Sequence, residues 1–268
     1  MILRQEAAPI FRRLCPEPPG APINLSSLLN HPLGCLRHYG GMSAISSIFG
    51  DTPTLFRFEV AIPGSQPDAS SSSLPTIQED GIIQWLFGIP NQIMLLFAKM
   101  KELQQDGLAS NEEETVELLE HAIREVPPFN GSSSDRFLVV IRSVVQECWR
   151  QAAFVYLYMA VCGDSSDTPR VKDAFKRFIR LLNGTKPGRL PDEFLTSPLV
   201  LIAPAAQQRR DREVIRQRAV VLHRRGRTFP PNDSLLCIIE DYWARADAER
   251  RPVVWSDVGV SRRHVLGA

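Results

Sequence analysis

The densest group of residues able to do chemistry is the run of arginines at positions 207–227. Eight arginines stand there against two acidic residues, Asp211 and Glu213, which gives the stretch a net charge of +6. Guanidinium groups on a helix can bind phosphates, so nucleic-acid contact is one interpretation. No Phe, Tyr or Trp interleaves with the arginines, and apolar residues (Ile215, Ala219, Leu222) recur along one side. The pattern therefore also fits a solvated or interface face of a packed helix.

Short acidic groups occur at residues 112–114, 164–167 and 192–193, where carboxylates could serve a metal or acid–base site. Each also lies where a helix is predicted to begin, and carboxylates stabilise the positive end of a helix. Residues 164–167 are predicted to form a helix-to-helix loop with its own N-cap. The sequence contains no nucleophile elbow, phosphate-binding glycine loop or zinc-peptidase helix. We predict no catalytic residue and a protein that is not an enzyme.

The five cysteines are too widely scattered to suggest a metal or redox site. No pair has the two-to-four-residue gap of a zinc knuckle or a redox dithiol. Cys148, Cys162 and Cys237 lie in apolar helical sequence, where a free thiol behaves as a small hydrophobic residue, so all three are predicted in the core. The histidines are isolated as well. No metal site and no cofactor site is predicted.

Four tryptophans, Trp85, Trp149, Trp243 and Trp255, allow two interpretations. Helical domains often place ligand pockets between helices, and these side chains could line one. Aromatic residues at helical spacing also form cores, and the sequence alone leaves both uses open.

The element around which these residues are arranged is a predicted central helix over residues 135–162. Its apolar residues step by three and four, which is typical of a helix. One stripe comprises Phe137, Ile141, Val144, Cys148, Ala152, Val155 and Met159. A second stripe beside it widens the apolar surface, so other helices must cover most of its circumference. Ser134 is predicted to cap its start and Gly163 to end it.

Further helices are predicted at residues 76–87, 90–107, 111–126, 168–184, 191–206, 211–226 and 233–250. Pro198 and Pro204 should kink or divide the helix that contains them. The segment Val253–Trp255 is predicted to dock onto the other helices. Strand-like alternation does not recur after residue 76, so the sequence predicts an all-α fold of antiparallel helix pairs.

Residues 1–75 differ from the rest in composition. Pro16, Pro18, Pro19 and Pro22 disfavour regular structure, and residues 66–75 read as a flexible linker. Residues 55–62 alternate in polarity and could form a short strand or an extended segment. We predict a poorly ordered, linker-rich region at 1–75 and a helical regulatory domain at 76–268.

The bulk composition is that of an ordinary soluble protein. The 268 residues are 44% hydrophobic and 23% charged. A net charge of +1 argues against a chain built as a whole to coat nucleic acid or an anionic membrane. No secretion signal is visible, and the longest apolar run, residues 152–162, is too short to span a bilayer. We expect a soluble intracellular protein with no membrane contact.

The order of these elements resembles the fungal-specific transcription factor domain, the helical regulatory part of fungal zinc-cluster transcription factors. Residues 149–158 (WRQAAFVYLY) are similar to the family's aromatic–alanine helix. Phe194, Leu195, Pro198, Leu199, Ala203 and Ala206 are similar to its Trp-Pro-Leu segment. Residues 239–243 with Trp255, Ser256 and Asp257 look like its terminal helix and closing Trp-x-Asp. The resemblance runs from about residue 77 to the end and departs at Pro198 and Pro204.

The resemblance implies a nuclear protein that regulates transcription through helix-mediated contacts and effector sensing. The partners it implies are proteins of the transcription machinery or a second copy of the chain. It implies DNA contact only through an upstream six-cysteine zinc cluster, which these residues do not contain, and it supplies no catalytic residue. The alternative is a stand-alone helical ligand-binding or scaffolding protein without direct DNA contact. A helical enzyme is a third hypothesis, for which the sequence names no residue.

Overall fold

The fold is described by a computed structural model at residues 2–61, 88–107, 112–128, 136–186, 189–223 and 232–267. These residues contain eleven α-helices and two short strands, which confirms the all-α class. The predicted helix at 76–87, the linker at 66–75, the predicted N-cap Ser134, and Trp85 lie outside them. None of the described helices combines the length and apolar character needed to cross a membrane.

In chain order, the first unit's elements are α1 (Ile2–Leu14), β1 (Ile23–Asn24), α2 (Leu25–Leu29), α3 (Gly34–Phe49), β2 (Phe58–Glu59), α4 (Asn91–Asp106) and α5 (Glu112–Glu125). The second unit's are α6 (Arg136–Tyr156), a π-helical turn (Leu157–Val161), α7 (Pro169–Gly184), α8 (Arg189–Ile202), a 3-10 turn (Ala203–Ala205), α9 (Arg209–His223), α10 (Asn232–Glu249) and α11 (Ser256–Leu266). The first unit comprises Met1–Ile48 and Thr52–Val126, and the second comprises Phe49–Asp51 and Pro127–Ala268. The predicted domain boundary between residues 75 and 76 falls outside the described residues and remains a prediction.

The first unit is more regular before residue 61 than its composition predicts. Three helices flank the proline cluster, and β1 pairs in parallel with β2 in the register Ile23 to Phe58. The ring of Phe11 lies 4.4 Å from that of Tyr39 between centroids and holds α1 on α3. Gly40 lies inside α3, where α2 packs against it. A Cβ added at this position would lie 2.2 Å from Cδ2 of Leu28, so a larger residue would clash. Glycine here permits close helix packing.

Helix α6 forms the centre of the second unit and packs against α7 and α8. Most of both apolar stripes is buried, including Cys148, Trp149 and Val155. The helix ends through the π-helical turn at Gly163, whose φ of +75° favours glycine. Phe137, placed in the inner stripe by the sequence, is 63% exposed. The first turn of α6 therefore projects beyond the surface that α7 and α8 cover.

The prolines and the segment after α10 refine the predicted helices. Pro198 lies inside a continuous α8, so the packing of α8 on α6 outweighs the missing backbone hydrogen bond. The division occurs instead at the 3-10 turn that contains Pro204. Val253 and Trp255 are buried, as predicted for the docking segment. Helix α11 was not predicted, because its apolar residues are sparse and Gly259 lies within it.

Candidate functional site

Helix α9 carries the arginine run, and its Arg212 is directed inward. The Arg212 guanidinium donates to both carboxylate oxygens of Asp247 on α10, at 2.6 and 3.0 Å. Its Nε donates to the carbonyl of Ala206 at 3.1 Å. Arg212 is buried, so this side chain fastens α9 to α10.

Arg216 lies one turn later and repeats the arrangement. It donates to both carboxylate oxygens of Glu240, and these hydrogen bonds raise the pKa of Arg216 above its ordinary value. The guanidinium carbons of Arg212 and Arg216 lie 5.2 and 5.3 Å from the ring centroid of Trp243, within cation–π range. The Trp243 indole N–H donates to the carbonyl of Ala203 at 3.1 Å.

Arg218 is used in a third way. It is buried and donates to the carbonyls of Leu182 and Thr185, each at 2.6 Å, at the end of α7. Backbone carbonyls at a helix C-terminus lack helical partners, and Arg218 supplies donors to them. Arg212, Arg216 and Arg218 therefore connect helices within the fold. These three arginines are not available to bind phosphates, which weakens the phosphate-binding interpretation of the run. Arg209 and Arg210 are exposed, and Arg224, Arg225 and Arg227 lie outside the described residues.

A basic surface that the sequence analysis missed lies on α7. Val171, Phe175, Phe178 and Leu182 are buried against the other helices, as predicted. The opposite side of α7 carries four cations, at positions 172, 176, 177 and 180, and one acid, Asp173. The charges are interleaved with apolar residues, so they form no run. They become visible only when the helix is divided into its two faces.

The loop at residues 164–167 joins α7 to the segment after α10. Ser166 is buried, and its N–H donates to the carbonyl of Val253 at 2.8 Å. The N–H of Val253 donates in return to the Ser166 hydroxyl at 3.1 Å, and so does the Gln207 side chain at 3.3 Å. Asp164 binds Arg170. The predicted side-chain N-cap is not formed: α7 begins at Pro169, and Thr168 precedes it without a capping hydrogen bond.

Trp255 and Asp257 hold the start of α11 in place through contacts with earlier parts of the second unit. The indole N–H of Trp255 donates to a carboxylate oxygen of Asp51 at 3.2 Å, and its ring meets Tyr156 edge-on at 5.0 Å. Asp257 is buried and binds both terminal nitrogens of Arg251 at 2.7 Å. Burial opposes ionisation of Asp257, but hydrogen bonds from Arg251 and the Val254 N–H lower its pKa below the ordinary value.

The cysteines and acidic groups build no metal centre among the described residues, where no cluster of three His, Cys, Asp or Glu side chains could hold an ion. Cys148 is buried as predicted and Cys162 is partly buried. Cys237, predicted in the core, is exposed. It lies two residues from the buried Ile239, which places it on the opposite side of α10.

The described tryptophans pack in the core. Trp149, Trp243 and Trp255 are each at most 4% exposed and contact other aromatic rings.

A cavity of about 270 Å³ lies in the first unit. It is lined by Ala44, Thr54, Arg57, Phe58, Ala98, Lys101, Glu102, Gln105 and Asp106. Its walls carry two cations and two carboxylates, and Arg57 pairs with Asp106 at 2.6 Å.

The sequence profile of the fungal specific transcription factor domain matches residues 42–266, well over half of the chain. The chain belongs to this family. The match begins earlier than the predicted residue 77 and includes Phe49 and Asp51, which contact Trp149 and Trp255. Searches of curated proteins and of solved structures returned no match.

The segments that carry the resemblance lie in the core of this family member rather than around an open site. Residues 149–158 are almost entirely buried. The ring of Trp243 contacts the guanidinium groups of Arg212 and Arg216, and the carboxylate of Asp257 binds Arg251. Membership supports a role in transcription regulation. No catalytic residue is assigned to any of these positions.

Proposed function

We propose that this chain is a nuclear regulatory domain that acts by binding proteins, either components of the transcription machinery or a second copy of itself. Recognition of a specific DNA sequence is left to a six-cysteine zinc cluster outside these 268 residues. The observation that carries the proposal is the internal use of Arg212, Arg216 and Arg218. Three of the eight arginines in the most basic stretch thus tie helices together, as expected of a structural interaction module.

Tethered transcription tests the regulatory role. The full chain is fused to an unrelated sequence-specific DNA-binding domain, and transcription is measured from a reporter that carries the cognate site. A change in reporter output relative to the DNA-binding domain alone, at equal nuclear abundance, supports the proposal. A Trp149→Ala fusion is the control, because removing this fully buried ring should cost roughly 3–5 kcal/mol and abolish the effect.

Two outcomes would contradict the proposal. Stoichiometric zinc in the purified chain, measured by atomic absorption, would contradict a domain without its own cluster. A folded fusion that leaves the reporter unchanged would remove the regulatory role.

One observation favours the alternative, a stand-alone ligand-binding protein. The cavity beside Lys101 and Asp106 carries both signs of charge and could hold a small zwitterionic molecule. A ligand that binds only the folded state raises the melting temperature by mass action. Saturable stabilisation by an amino-acid-like compound, lost in Ala98→Trp, would support this alternative. Absence of transcriptional activity in the tethered fusion would strengthen it.

A further inference from the structure

The exposed side of α7 is basic along its whole central part. Lys176, Arg177 and Arg180 are exposed and Lys172 is half-buried, and we call these four residues the α7 basic face. The single acid among them, Asp173, reaches Lys176 only at 4.0 Å, and both side chains are more than 60% exposed. A contact of that kind contributes little to stability, so these charges are not explained by ties within the fold.

The spacing of these charges forms a straight row. Lys172, Lys176 and Arg180 follow one another at four-residue intervals, so they lie on one side of the helix about 6 Å apart along its axis. The row is therefore about 12 Å long. Each strand of duplex DNA carries a phosphate about every 3.4 Å along its axis, so several phosphates fall within reach of the row.

The chemistry of the face favours phosphates over a protein partner. Between Lys172 and Arg180 the exposed positions 173, 176 and 177 carry only charged side chains, and the one aliphatic residue beside the row, Ile179, is half-buried. Protein interfaces are enriched in aromatic residues and arginine and depleted in lysine. Reading of DNA bases uses bidentate amide or guanidinium contacts in a groove, whereas lysines bind phosphates without sequence information.

The face is also firmly supported. Phe175 and Phe178 are buried on the other side of α7, which packs against α6. Arg218 binds the carbonyls of Leu182 and Thr185 at its C-terminal end. The basic side chains therefore project from a helix that is fixed at its side and at one end, which limits the ordering needed on binding.

We propose that the α7 basic face binds the phosphate backbone of double-stranded DNA without reading its sequence. This goes beyond the proposed regulatory function, which assigns α7 no role. The α7 basic face would hold the domain on DNA near a site that another DNA-binding module selects. The contact is electrostatic, so it weakens steeply as salt concentration rises.

The test is fluorescence anisotropy of the full chain with two labelled 30-base-pair duplexes of unrelated sequence, measured over a series of salt concentrations. Wild type should bind both duplexes equally, with a linear fall of log K against log salt. In Lys172→Gln/Lys176→Gln/Arg180→Gln the magnitude of the slope should decrease by about 2–3, since each phosphate contact contributes about 0.9. Lys176→Gln alone should decrease it by about 1, which keeps the test valid if the triple variant fails to fold.

The matched control is Arg13→Gln/Arg136→Gln/Arg263→Gln, which removes the same charge from exposed positions on α1, α6 and α11. Its slope should stay close to that of wild type. An equal decrease in the control would show that net charge alone governs binding and would overturn the proposal. Binding to a 20-residue polyglutamate peptide but not to DNA would overturn it in favour of an acidic protein partner.

Discussion

Both terminal nitrogens of Arg251 donate to the carboxylate of Asp257, each at 2.7 Å. The same carboxylate accepts the N–H of Val254 at 3.0 Å, and the backbone carbonyl of Asp257 accepts from Arg245. Asp257 thus joins the turn after α10 to the start of α11 through its carboxylate, and joins α10 through its backbone carbonyl. The closing Trp-x-Asp segment, residues 255–257, therefore stabilises the start of the last helix, α11.

We expect Asp257→Asn to lower the free energy of unfolding by roughly 2–3 kcal/mol, because it removes the buried carboxylate that pairs with both Arg251 and Arg245, while Arg251 keeps only Glu249 as an acidic partner. The Asp257 side chain is 5% exposed, whereas Arg251 is 33% exposed, so water offsets part of the loss. Asp106→Asn is the control: Asp106 pairs with Arg57 at 2.6 Å, but the two side chains are 50% and 63% exposed, so its loss should cost about 1 kcal/mol or less. Urea denaturation compares the two variants. Equal costs would contradict the role of burial.

Acid should weaken the fold partly through Asp257. The pKa of Asp257 is lower in the folded protein than in the unfolded chain, so its stabilisation is complete above the unfolded value of about 4. It is lost as the pH falls through the folded pKa. The difference in melting temperature between wild type and Asp257→Asn should therefore shrink below about pH 4. A difference that stays constant down to acid unfolding would rule out this linkage.

The sequence predicted those elements whose apolar residues repeat at helical spacing. The inward residues of α7, the buried part of α6 and the docking of Val253 and Trp255 were all correctly placed, because a long apolar stripe has few alternative packings. The sequence could not locate the edge of that packing. Phe137 continues the stripe of α6 in spacing, yet neighbouring helices do not cover the first turn.

The candidate surfaces were harder to predict than the helices. A run of arginines draws attention to α9, but whether an arginine faces solvent or a carboxylate depends on residues far away in sequence, such as Glu240 and Asp247. The α7 basic face has fewer charges, spread between apolar residues. Local charge density therefore drew attention to α9, although the predicted inward residues of α7 already imply that its cations face outward.

Thiol reactivity should separate the cysteines by burial. Burial, with a smaller contribution from Glu147, raises the pKa of Cys148 to about 12, whereas Cys35 and Cys237 are exposed. Because the thiolate is the reactive form, Cys148 should react with Ellman's reagent at pH 8 roughly 1,000-fold more slowly than an exposed thiol, or slower still. The double variant Cys35→Ser/Cys237→Ser should lose the two fastest-reacting thiol equivalents. Unfolding in urea should make Cys148 react as fast as an exposed thiol. A fast Cys148 in the native protein would contradict its burial.

Two phenylalanines with the same sequence periodicity should differ sharply in their contribution to stability. Phe178 is fully buried on α7, so Phe178→Ala should lower the free energy of unfolding by about 3–5 kcal/mol through lost burial and the cavity left behind. Phe137 is 63% exposed, so Phe137→Ala removes little buried surface and should cost about 1 kcal/mol or less. Both substitutions delete the same atoms from a helix, so differences in helix propensity cancel. Chemical denaturation of the two variants measures the contrast, and similar costs would show that the first turn of α6 is covered in solution.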